Sequence, residues 1–322
     1  MVLASSFLIF TFFASYLFYS MIYGNVAHLS TASLIFLGVS GLFFIKQLRI
    51  EWRCVKCQLK QPVKLSQPKN LNILLALVGG AFITFILNHQ LGLNNVLASS
   101  LTGLGGAYFM KNYAAAIYCG SFVSMACNVI FSNPLSFILA SLITGGLFIL
   151  SAQLFKGYGG KLGFMAFCGT FIASLLFRSP FRTLEPLSPD LYLPLFLIII
   201  FAGMVTYLLR DLFLLDAVTA SALAGLTIAI LHPQTNHIIV VAAFCATFTG
   251  MVSKERARTY TELFFLTVLT AILFIAVASL FDGSGGKLGA TAFLATVSGR
   301  AMLDMLLWIK HTYIKQKRSV DV

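Results

Sequence analysis

Two lysines follow paired glycines inside otherwise uncharged stretches of this chain. The segments are GYGGKLGFMAFCGTFIA (157–173) and GSGGKLGATAFLATVSG (283–299), which place Lys161 and Lys287 in one register. Gly159 and Gly160 precede the first lysine, Gly285 and Gly286 the second. Paired glycines allow close backbone approach or positive φ. A lysine at the start of a helix adds charge to an end that already favours anions. The chemistry expected is attraction of an anionic or dipolar solute to a broken-helix element that lines a path. The plainer reading is a tight turn between helices with a snorkelling lysine. A nucleotide-binding loop is excluded, because the spacing is wrong and no Ser or Thr follows the lysine.

A second pair of segments carries aromatics beside hydroxyls. CGSFVSM (119–125) matches CATFTGM (245–251), which sets Ser121 and Phe122 against Thr247 and Phe248. Two related aromatics next to hydroxyls form a constriction for a small polar solute, or else a packed helix contact. VLASSLTGL (96–104) matches VTASALAGL (218–226) at six of nine positions and pairs Ser99 with Ser221. That small-residue pattern favours packing, with a hydroxyl-lined path as the alternative. Arg300 and Asp304 stand at i, i+4 in an apolar stretch. Ionisable groups there are costly, so the pair is read as a gate, a coupling site or an interfacial ion pair.

The remaining reactive side chains say less. His28, His89, His232 and His237 show no metal-ligand spacing, so no metal is expected. Cys54 and Cys57 form CVKC in a basic stretch without further zinc ligands, and their role stays open. Paired buried carboxylates, HExxH, GxSxG and a dinucleotide fingerprint are missing. Neither an enzyme nor a cofactor is expected.

The matched segments recur in one order. The first and second pairs share an offset of 126 residues (157 to 283, 119 to 245), and the third has 122 (96 to 218). Three blocks in register indicate an internal duplication.

The chain of 322 residues is 59% hydrophobic and 10% charged, with mean hydropathy +0.91. This is the composition of a polytopic membrane protein. A ruler of about 20 apolar residues per span gives twelve candidates: 3–23, 31–45, 71–88, 94–110, 113–132, 135–155, 161–177, 192–209, 215–231, 237–253, 262–281 and 288–309. The N-terminal apolar run lacks a basic start and is expected to be retained. The net charge of +12 invites a nucleic-acid reading, but the basic residues cluster beside the spans, at 46–69, 254–258 and 310–318. The positive-inside rule accounts for them. Placing both termini in the cytoplasm leaves only Arg178, Arg182 and Lys287 outside.

The fold class expected is an all-α polytopic membrane protein of about twelve transmembrane helices. Two N-terminal helices (1–45) and a basic cytoplasmic loop (46–70) precede repeat 1 (71–177). An external connector (178–191) leads to repeat 2 (192–309), and a basic tail (310–322) ends the chain. Five helices per repeat is an odd number, so the copies cross in opposite senses and form an inverted repeat.

The function expected is a permease or channel-like transporter for a small neutral or anionic solute, with its path between the repeats. The alternatives are a coupled secondary transporter using Arg300 and Asp304, and a non-transporting scaffold subunit. Expected partners are the solute, the lipid bilayer and, as an option, further copies of the chain, without nucleic acid. The expected location is a plasma membrane of the bacterial inner-membrane kind.

Overall fold

A computed structural model describes residues 2–58, 68–126, 131, 133–232 and 238–320. Every regular element among the described residues is helical. The α-helices are α1 (Val2–Gly24), α2 (Thr31–Gln58), α3 (Pro68–Phe85), α4 (Asn95–Phe109), α5 (Ala114–Val123) and α6 (Pro134–Leu150). They continue with α7 (Lys161–Leu176), α8 (Tyr192–Leu212), α9 (Ala217–Leu231), α10 (Ile238–Gly250), α11 (Tyr260–Val277) and α12 (Lys287–Val320).

The chain is thus helical and apolar enough for a membrane, but its helices are unequal. Six are long and apolar enough to cross: Leu3–Gly24, Thr31–Arg53, Lys69–Gln90, Pro189–Leu212, Tyr260–Val277 and Lys287–Thr312. Among the described residues, the other six of the twelve expected spans are shorter helices. α4 and α9 have 15 residues each, α5 has 10, α7 has 16 and α10 has 13. At about 1.5 Å per residue a 10-residue helix covers about 15 Å, half of a core of about 30 Å. Apolar composition also reports burial by protein, which covers nearly all of α5 and most of α10.

Two boundaries also move. Residues 46–58 extend α2 rather than open a loop, and the tail continues α12 as far as Val320. Lys and Arg are good helix formers, so a helix need not stop where its charge begins. Residues 59–67 and the side chains of Cys54 and Cys57 lie outside the described residues, as does His237.

Two of the short helices, α4 and α9, start on side-chain caps. The Asn94 side chain accepts from Leu97 N at 2.7 Å, and the Asp216 carboxylate accepts from Val218 N at 2.9 Å. Each cap satisfies an N–H that the first helical turn leaves open.

Helix contacts come in matching sets. α3 packs on α5 as α8 packs on α10, and α6 packs on α7 as α11 packs on α12. α4 meets α9, and α7 meets α12. The α7–α12 contact is close because it is made of glycine. A Cβ on Gly163 or on Gly289 would come within 2.6 Å of the other's Cα. α1 and α2 lie against this centre through an aromatic cluster: Phe10 packs on Phe155 (centroids 5.8 Å apart) and Phe164 (5.1 Å), and Phe44 on Phe293 (6.4 Å).

Candidate functional site

The two glycine–lysine turns build the centre of the molecule. Gly160 caps α7 with φ +76° and Gly286 precedes α12 with φ +78°. A Cβ at Gly160 would overlap the carbonyl oxygen of Gly289, and one at Gly286 that of Gly163. Both positions therefore need glycine for conformation and for space. Hydrogen bonds cross between the turns. Thr170 Oγ1 donates to Gly285 O at 3.0 Å, and Thr296 Oγ1 donates to Gly159 O at 3.0 Å. The thiols repeat the pattern, with Cys119 Sγ donating to Leu162 O (3.2 Å) and Cys245 Sγ to Leu288 O (3.1 Å).

The lysines reach back to the preceding helix rather than into open space. Lys161 Nζ donates to Ser151 O at 2.6 Å, at the end of α6. Lys287 Nζ donates to Ala278 O at 3.1 Å and Leu280 O at 2.9 Å, at the end of α11. A cation on the last carbonyls of a helix satisfies orphan acceptors and complements the dipole.

Phe122 and Phe248 meet edge to face, with ring centroids 4.9 Å apart. Tyr118 flanks Phe122 at 4.4 Å, and Phe244 flanks Phe248 at 4.7 Å. Sequence reasoning passed over Tyr118 and Phe244. The signal was present, since each stands four residues before its partner and the two share the 126-residue offset. Tyr118 also breaks the equivalence, because its hydroxyl lies 3.1 Å from Ser221 Oγ.

Beside this aromatic group lies a cavity of about 430 Å³. Phe122, Phe248, Val96, Val240 and Leu288 supply apolar lining, and Asn94, Asp282, Ser284 and Lys287 supply polar groups. The first turns of α4 and α12 border it as well. Such turns leave N–H groups without intrahelical acceptors.

Among the sequence-derived candidates, Phe122, Phe248, Gly286 and Lys287 therefore line the cavity. Ser99, Ser121, Ser221, Thr247, Gly159, Gly160, Lys161 and Gly285 do not. The four hydroxyls are buried in helix contacts instead, with Ser99 on Ser121 at 2.7 Å and Ser221 on Thr247 at 2.9 Å. Small residues bring those helices close, and each hydroxyl is then satisfied by its neighbour.

Arg300 and Asp304 lie away from this cavity. Arg300 is buried and donates to Asp304, to Glu262 Oε2 (3.1 Å) and to Arg256 O (3.1 Å). Glu262 was missed by the sequence reading, because nothing in spacing joins the start of α11 to the middle of α12. The half-exposed Asp304 side chain marks this network as lying near one end of the bundle.

No family model matches the chain, and neither known proteins nor solved structures show significant similarity to it.

Proposed function

We propose that the chain is a permease or channel-like transporter for a small neutral or anionic solute, built from two inverted five-helix repeats. The cavity lined by Phe122 and Phe248 carries this reading. Its volume suits a small molecule. Its apolar lining rejects hydrated ions, Lys287 and Asp282 offset one another, and the first turns of α4 and α12 leave a preference for a neutral, dipolar or anionic solute. The two-fold recurrence of the Thr–Gly, Cys–Leu and Lys–carbonyl bonds supports the inverted arrangement, in which α3–α7 and α8–α12 are the copies. Short helices that end against protein at the centre are the discontinuous elements such folds use.

The basic clusters orient the chain with both termini in the cytoplasm. On that orientation the cavity lies toward the outer side, and the 151–160 turn lies toward the inner side.

Flux in proteoliposomes tests the proposal. Purified protein is reconstituted and screened with small neutral solutes and monovalent anions, with and without a proton gradient. Flux without a gradient is expected, and Phe248→Ala should raise it by widening the cavity. Flux that requires the gradient would favour coupled transport instead. Background-level flux across the panel, from well-folded protein, would sink the reading and leave the scaffold role.

A further inference from the structure

The two mouths of the proposed path are not dressed alike. At the outer one, Ser284 and Asp282 line a cavity, and the backbone of Asp282 pairs with that of Arg182. The 126-residue offset sets Tyr158 against Ser284 and Lys156 against Asp282. Tyr158 is buried, and burial raises its phenol above the ordinary value, so it stays protonated. The Arg256 guanidinium lies over its ring at 4.2 Å, and Nη1 donates to its hydroxyl at 2.9 Å. Nε donates to Lys156 O at 3.2 Å, and Nη2 pairs with Glu51 Oε1 at 3.2 Å. The backbone adds Ser253 N to Gly157 O at 2.9 Å. Glu51 belongs to α2, outside both repeats, and only 7% of its side chain is exposed. Arg300 fixes the same segment from behind through Arg256 O.

We infer that Glu51, Arg256 and Tyr158 form a latch that holds the inner mouth shut, with the N-terminal helices as the element that applies it. One guanidinium joins three segments: α2, the 151–160 turn and the 251–259 turn. Its planar fork satisfies all three at once, which a lysine would not do. The 151–160 turn is further held from the side of α1, where Phe7 stacks on Phe155 at 6.1 Å. Inner opening requires the turns at 151–160 and 251–259 to separate, so it requires Arg256 to release Glu51 and Tyr158. The latch deepens the permease reading and takes its meaning from it, because it assigns the occluded side of the same path.

Distance measurement between spin labels tests the latch without any solute. The labels sit at Gln153→Cys and Glu255→Cys, both exposed positions, in a chain whose native cysteines are replaced. The parent should give one narrow, short distance. Glu51→Gln and Arg256→Ala should each add a population longer by about 5 Å, the scale of a one-turn shift. Arg256→Lys should add a smaller one. Glu51→Gln keeps the side-chain size, so it remains informative if Arg256→Ala folds poorly. An unchanged distribution in Glu51→Gln, at normal elution and helical content, overturns the latch. A longer population combined with background-level flux upholds the latch as a mobile contact and removes only the permease reading.

Discussion

The turns at 151–160 and 277–286 share a skeleton and differ on one face. Both hold a lysine on the last carbonyls of the preceding helix, a glycine at positive φ and a threonine bond from the helix that follows the opposite turn. Those features look inward, toward the glycine contact of α7 and α12, where each turn is the other's neighbour. Outward, Tyr158 carries the Arg256 guanidinium, itself paired with Glu51, whereas Ser284 lines a cavity. The shared half is what two backbones in mutual contact require. The differing half includes what attaches to each turn: Glu51 of α2 reaches the first through Arg256, and the connector pairs Arg182 with Asp282 at the second.

Three perturbations probe how far the equivalence reaches. The largest effect is expected at the capping glycines. Gly160→Val or Gly286→Val forces a β-branched residue into the left-handed region and drives its Cβ into a carbonyl. Strain of about 1–3 kcal/mol and overpacking of similar size add up at each site. Size-exclusion profiles in detergent should show loss of folded protein for both. Tolerance at one position alone would break the equivalence.

The lysines should separate structure from path. Lys161→Met and Lys287→Met each lose a cation on helix-terminal carbonyls, a stability term of about 0.3–2 kcal/mol. Thermal unfolding should register similar drops in Tm. Only Lys287 lines the cavity, so anion flux should fall in Lys287→Met alone. Equal flux losses would place Lys161 on the route as well.

The smallest change belongs to the crossing hydrogen bonds. Thr170→Val and Thr296→Val each remove one buried bond to a glycine carbonyl, worth about 1 kcal/mol. Their effects on Tm should agree within experimental scatter. A clear inequality would show that one turn carries more of the α7–α12 contact than the other.

Composition was enough to indicate a helical membrane protein, and the matched blocks pointed to the glycine–lysine turns, whose close packing needs glycine. Those properties are local or additive: apolar content records removal from water, and repeated residues record repeated backbone needs. Phe122 and Phe248 were also legible, because equivalent positions near the centre of paired copies come together wherever those copies meet. Helix lengths were not. α5 and α10 are as apolar as a spanning helix, and only packing decided that protein rather than lipid covers them. The serines and threonine proposed for a path became helix-contact hydroxyls once tertiary structure supplied their partners. Arg256, Glu51 and Glu262 carried no sequence signal at all. The Glu51–Arg256 pair spans 205 residues, and the energy of a charge depends on which opposite charge and which donors the fold brings within reach.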